Sequence, residues 1–262
     1  MHPILLEIGT FRIFSYGVLI ALGGVFSCRF WLSRRERMGI KKEDDFWLLV
    51  NAILFGGFLG GRALYLLEYT RLFSADFWDT LISFSKGFSV MGAFVGVTAA
   101  LWWFSRRARA PFLTLLDYVC QAAPVWHAFG RLGCFMAGCC FGRPTDMPWG
   151  VTFRDPRSMV DAALLGHPIH PTQLYEAGGD LVLAALLYRF ALRAVEQRRQ
   201  PPGTVAVCYF IGYSLIRFIV EFYRGDTVAI GRFTAAQGFS VLFIVGAITT
   251  YFYSARRQAA ST

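Results

Sequence analysis

Apolar residues gather along this chain in stretches that approach the roughly 20 residues a helix needs to cross a hydrocarbon core, and each stretch is closed by charged residues. These runs predict helices near 14 to 32, 46 to 67, 88 to 104, 112 to 130, 173 to 191, 204 to 222 and 234 to 253. The expected fold class is therefore an all-α membrane protein of about seven transmembrane helices. It forms one integral domain over residues 1 to 262, with an extracytoplasmic loop segment at about 131 to 172.

The polar stops give a direction. Arg34, Arg35, Arg37, Lys41 and Lys42 fill one connection, Arg106, Arg107 and Arg109 another, then Arg193, Arg198 and Arg199, and finally Arg256 and Arg257. These four clusters alternate correctly with seven crossings, so by the excess of basic residues in cytoplasmic loops they mark the cytoplasmic side. The N-terminus is expected outside and the C-terminus inside. The opposite connections are poorer in cations, with Arg71 and Lys86 in one and Arg224 and Arg232 in another. The long 131 to 172 stretch, which carries Arg131, Arg143, Arg154 and Arg157, needs a separate explanation.

Composition agrees. The 262 residues are 55% hydrophobic and 16% charged with mean hydropathy +0.45, against about 25% charged in soluble domains. A net charge of +9 could suggest nucleic acid. The cations sit between apolar runs and not on one soluble face, so membrane topology accounts for them and no nucleic-acid partner is expected. Of six cysteines, Cys134, Cys139 and Cys140 crowd into one segment and the rest scatter along apolar runs, unlike a disulfide framework. No basic region precedes the first apolar run, the reverse of a secretory signal peptide, so the first helix is expected to remain.

Ionisable residues inside membrane helices are costly and mark functional positions. Arg62 stands among Gly56, Gly57, Gly60 and Gly61, which permit close helix packing or a cavity wall. Arg217, Glu221 and Arg224 share one helical face, and an arginine left over after pairing with Glu221 would suit an anion such as a lipid phosphate. The segment GRLGCFMAGCCFGRPTDMPWGVTF, residues 130 to 153, places Arg131 and Arg143 at a water–lipid boundary. His127 lies one turn earlier as a candidate proton acceptor, and Asp117 on the same helix as a neutraliser of a neighbouring arginine. HPTQLYE, residues 170 to 176, brings His170, Gln173, Tyr175 and Glu176 to the outer start of the fifth helix, where Pro171 and Thr172 read as a helix start. GFSVMGAFVGV, residues 87 to 97, is a glycine-rich helix entry and not a serine-hydrolase elbow.

In order and spacing, FSYGVLIALG, GGRALYLLEY, GFSVMGAFVGV, the Asp117 helix, the 130 to 150 segment, HPTQLYE and RFIVEFYRGD resemble the prolipoprotein diacylglyceryl transferase family over nearly the whole chain. The resemblance implies a multi-pass enzyme of the bacterial inner membrane. Such an enzyme moves diacylglycerol from phosphatidylglycerol, taken from the surrounding membrane lipids, to the lipobox cysteine of a preprolipoprotein signal peptide. A thioether forms and glycerol 1-phosphate leaves. Tyr16, Arg62, Asp117, Arg131, Gly142, Arg217, Glu221 and Arg224 stand where that family keeps its functional residues.

Two departures are visible. Where the family reads Ser-Phe-His-Gly-Gly, this chain has Ser89, Val90, Met91, Gly92 and Ala93. Where it reads Gly-Asn-Phe-x-Asn-Gly-Glu, Cys134, Ala137 and Cys139 replace the three polar residues.

The chemistry requires a thiolate nucleophile and a clamp on the departing phosphate, for which Arg131 and Arg217 are the candidates. The base is open among His127, His170, a lipid phosphate oxygen, or no residue at all. No metal or organic cofactor is required. Two rivals are a transporter or lipid-binding protein that holds an anion on the same arginines, and a thiol redox or metal protein built on Cys134, Cys139 and Cys140.

Overall fold

The computed structural model describes residues 2–9, 11–70, 75–82, 87–227, 229–230 and 233–259, the side chains ending at Thr249. Arg71, Lys86 and Arg232 lie outside the described residues, and the side chains of Arg256 and Arg257 are likewise not described.

A helix stands at each of the seven expected places: α1 Ser15–Arg34, α2 Glu43–Tyr69, α4 Val90–Ala108, α5 Phe112–Ala137, α6 Thr172–Leu186, α8 Thr204–Glu221 and α9 Ala235–Ala259. The short α3, Ala75–Ile82, was not expected. The sixth helix continues through a π-helical stretch, Leu187–Leu192, into α7, Arg193–Glu196. Among the described residues α1, α2 and α8 are long and apolar enough to cross a membrane. Phe55, Leu59, Val182, Phe190 and Leu242 are each more than half exposed. So much outward apolar surface suits lipid as a solvent and would be a liability in water.

The chain falls into two compact units, Leu32–Leu116, and Met1–Trp31 together with Asp117–Thr262. In the first unit, α2 and α4 pack backbone to backbone. A Cβ on Gly56 would lie 2.7 Å from Gly96 O, and one on Gly60 would lie 2.8 Å from Gly96 Cα. The glycines at 56 and 60 thus serve helix packing, one of the two roles expected of them. Ser89 caps α4, its side chain accepting from Gly92 N at 3.4 Å and its own N–H donating to Gly61 O at 3.0 Å.

The second unit adds short strand pairs that hydropathy does not reveal: β1 Ile4–Ile8 with β2 Phe11–Phe14, β3 Val151–Thr152 with β4 Pro168–Ile169, and β5 Ala229–Ile230 with β6 Phe233–Thr234. The stretch expected as an outer loop is a small folded cap. Phe153, Val160 and Ile169 form its buried core, with Phe135, Phe141 and Val151 packed around them. Three pieces of backbone meet there. Arg143 N donates to Tyr223 O at 2.9 Å, Gly225 N to Phe141 O at 2.9 Å, and His170 N to Arg143 O at 2.9 Å.

Candidate active site

Helix α5 ends where Gly138 adopts a left-handed φ of +84° and donates its N–H to Cys134 O at 2.8 Å. The last turns of α5 therefore project Arg131 toward α6, whose first turn has just been tied to the chain beyond α5. Thr172 Oγ1 donates to Cys140 O at 2.8 Å, and Gln173 Nε2 to Cys139 O at 2.7 Å. One turn further along α6 stands Glu176, which is almost completely buried.

Glu176 organises the site. Its Oε1 lies 2.7 Å from Arg131 Nη2, and its Oε2 lies 3.5 Å from Arg217 Nη1. Arg217 Nη2 is also 2.8 Å from Glu221 Oε2, the i,i+4 contact expected along α8. Arg224 reaches Glu221 only at 3.9 Å and is instead held by Asp226, through Nε to Oδ1 at 2.9 Å and Nη2 to Oδ2 at 2.8 Å. The expectation of an unpaired arginine is corrected accordingly: Arg131, Arg217 and Arg224 are matched by Glu176, Glu221 and Asp226. Hydrogen-bonding capacity is still left over. Arg217 Nη1 and both Glu221 oxygens are buried without a hydrogen bond of ordinary geometry among the described residues, their short approaches being ion contacts. A buried guanidinium with donor capacity beyond its carboxylate contacts suits an anion.

The neighbours of this network are aromatic and sulfur groups. Tyr213 Oη lies 3.4 Å from Glu176 Oε1, and the His127 ring is 4.9 Å from the Tyr213 ring, which places His127 one residue away from the network. Tyr16 packs beside Gly133, where a Cβ would lie 2.9 Å from its ring, and it is within electrostatic range of Arg131 and Cys134. Cys134, Cys139 and Cys140 bring their sulfur atoms within 4.8 Å of one another. Hydrogen bonds from the Cys134 and Cys139 thiols, with Arg131 and Arg224 adding to them, hold the Cys140 thiol well below its ordinary pKa. The Cys139 thiol is pushed up by its hydrogen bond with Cys134, then by that with Cys140 and by burial.

Gly142 is positional. A Cβ there would lie 2.6 Å from His170 Cβ, so only glycine lets the two strands of backbone close up. His170 and Tyr175 form a second cluster: Tyr175 Oη accepts from Trp149 Nε1 at 2.7 Å and lies 3.1 Å from His170 Nδ1. They line an apolar cavity of about 460 Å³ together with Ile216, Ile219 and Tyr223. Gln173 serves the cysteine turn instead.

One expected residue belongs elsewhere. Asp117 does not neutralise an arginine of the site: its carboxylate accepts from Gly203 N at 2.7 Å and Ala206 N at 2.9 Å, capping α8. It precedes Arg131 by fourteen residues on α5, about 21 Å at 1.5 Å per residue. Arg62 lies in the other unit, where it donates to Gly87 O at 2.9 Å and to Thr80 O. Conversely, the sequence places Glu176 at the outer start of the fifth helix without marking it as a site residue, and it does not single out Asp226 or Asp180. Asp180 is fully buried one turn beyond Glu176, its carboxylate oxygens without a hydrogen-bond partner among the described residues. The spacing of Glu176 from Gln173 along one helical face was the available signal.

Comparison with known proteins places this geometry. The family model described as prolipoprotein diacylglyceryl transferase matches residues 3–253. A phosphatidylglycerol–prolipoprotein diacylglyceryl transferase of Pseudoalteromonas atlantica is 34% identical, over 98% of this chain and 91% of its own length. One of Clostridium tetani is 33% identical over 86% of each chain, and one of Bordetella avium 30% identical over 98% of this chain and 96% of its own.

Proposed function

The chain belongs to the prolipoprotein diacylglyceryl transferase family, whose members are membrane enzymes, and we propose that it transfers diacylglycerol from phosphatidylglycerol to the lipobox cysteine thiol of preprolipoproteins. The products are a thioether-linked lipoprotein precursor and glycerol 1-phosphate. The observation that carries this is the convergence of Arg131 and Arg217 on the single carboxylate of Glu176, with a buried guanidinium donor left over.

A guanidinium has five donors in a fixed fork, so a carboxylate can hold one edge while a phosphate takes another. Glu176 and Glu221 orient the two arginines, and the arginines bind the phosphodiester and stabilise the charge that grows on it as the carbon–oxygen bond breaks. Arg224, fixed by Asp226, adds positive potential from the cap. Tyr16 borders the same space and serves the reacting groups, as does His127 behind Tyr213. The cavity lined by His170 and Tyr175 offers an apolar bed for a lipid chain or signal-peptide side chain. Arg62, from the family resemblance, and Gln173, whose side chain ties the cysteine turn to the start of α6, complete the substrate-binding set.

The protein sits in the bacterial inner membrane as seven crossings, N-terminus outside and C-terminus in the cytoplasm, so that the cap over residues 141 to 171 meets its peptide from the outer face. The test is replacement in a living cell. A bacterium depleted of its own transferase should regain lipidated lipoproteins when this chain is expressed. Continued accumulation of unlipidated precursors, with the chain present in the membrane, would sink the proposal.

A further inference from the structure

Resting on that reading, we propose that Cys134, Cys139 and Cys140 form a three-thiolate site for a zinc-class cation, whose fourth coordination position takes the thiol of the substrate cysteine. The three sulfur atoms lie within 4.8 Å of one another. Tetrahedral coordination at a zinc–sulfur distance of about 2.3 Å needs them about 3.8 Å apart, a contraction of roughly 1 Å that side-chain rotation supplies.

The backbone around the cluster is already committed to that convergence. Cys134 lies in the last turn of α5, Gly138 turns the chain at φ +84°, and Cys140 itself holds a left-handed φ of +59°. A non-glycine residue in that region is strained and persists where surrounding contacts impose it. Here the imposing contacts are the bonds from Gln173 to Cys139 O and from Thr172 to Cys140 O. Among the described residues these thiols make one hydrogen bond to the backbone, from Cys139 Sγ to Cys134 O at 3.9 Å, yet all three positions that face one another carry a thiol.

The chemistry can use such a site. Among the described residues only these three were found as a clustered ligand set, so a tetrahedral cation would keep one position open, as catalytic zinc sites do. A coordinated thiol loses its proton outright. A metal-bound thiolate needs no separate side-chain base. The substrate thiol binds and gives its proton to solvent. Its sulfur then attacks the terminal glyceryl carbon of the lipid, the carbon–oxygen bond to phosphorus breaks, and glycerol 1-phosphate leaves on the arginine clamp. The resulting thioether is a weaker ligand and dissociates. Cys134 lies one turn from Arg131, so cation and clamp share one face of α5.

The experiment uses the full-length protein, purified reduced in detergent and loaded with Co(II) as an optical probe, then with Zn(II). One ion per chain should bind, with thiolate-to-cobalt charge-transfer absorption and tetrahedral ligand-field bands. Cys139→Ser should abolish those bands. A lipobox peptide should shift the ligand-field bands, while the same peptide with serine for cysteine should not. Stripping the metal should lower transfer at least tenfold, and Zn(II) should restore it. The inference is overturned if the reduced protein binds no ion, if the bands ignore the cysteine peptide, if the metal-free protein transfers at the full rate, or if the active protein holds two of the three cysteines as a disulfide. A metal-loaded protein that shows the peptide-dependent shift but transfers no lipid would instead refute the transferase reading and leave the thiol-binding metal site standing.

Discussion

Glu176→Gln is the perturbation that most sharply separates a positioned arginine clamp from a merely buried ion pair. The amide has nearly the carboxylate's size, so packing in α6 is kept, but the charge facing Arg131 at 2.7 Å and Arg217 at 3.5 Å is gone. A hydrogen bond to a charged group is worth about 1.5 to 3 kcal/mol. If that is the loss in holding Arg131 against the transition state, transfer falls roughly 10- to 150-fold at 1.4 kcal/mol per decade. The site then carries three arginines against Glu221 and Asp226, so affinity for the anionic lipid should hold or rise. The deficit should therefore appear in kcat and not in KM for phosphatidylglycerol. Steady-state transfer to a synthetic lipobox peptide in vesicles measures both. In an Arg131→Ala background the further cost of Glu176→Gln should shrink severalfold, because the residue it positions is absent. A Glu176→Gln enzyme with normal kcat, or fully additive effects with Arg131→Ala, would refute the role assigned to Glu176.

Three other outcomes are expected. Arg131→Lys and Arg217→Lys should each reduce transfer about a hundredfold, since an ammonium cannot give two parallel hydrogen bonds; Arg157→Ala, whose side chain is exposed and paired with Asp155 in the cap, should leave the rate unchanged in the same assay. Asp117→Ala should destabilise the protein by about 2 kcal/mol through the uncapped start of α8, with Asn milder, and thermal denaturation in detergent should show the loss while the rate per folded molecule stays within twofold. A reporter fused after Arg257 should be accessible from the cytoplasm and one inserted between residues 143 and 160 from outside; opposite labelling would overturn the orientation drawn from the basic loops.

Hydropathy located the long helices because membrane crossing imposes a length and a composition that survive any detail of packing. It missed α3 and the strand pairs of the cap because these are short, mixed in polarity and held by partners distant in sequence. The cap's core, for example, joins Phe153 to Ile169, and its backbone pairs with Tyr223. Site residues on one helix were legible: the Arg217–Glu221 contact follows from i,i+4 spacing alone. Roles that depend on a second element were not. By sequence Asp117 reads as a counter-ion for a neighbouring arginine, but its partners are backbone N–H groups of Gly203 and Ala206, at the start of another helix. Glu176 passed as the end of a capped helix start because nothing local shows that two arginines from α5 and α8 meet on it. The convergence of the three cysteines depends on left-handed turns at Gly138 and Cys140, one of which a cysteine gives no reason to expect.

The most direct test of the central claim is mass spectrometry of a lipobox peptide incubated with the purified protein in phosphatidylglycerol vesicles. A gain equal to one diacylglyceryl group on the cysteine sulfur is expected, with an equal amount of glycerol 1-phosphate released and no gain on the serine-substituted peptide. An unmodified cysteine peptide after incubation with folded, lipid-embedded protein would contradict it.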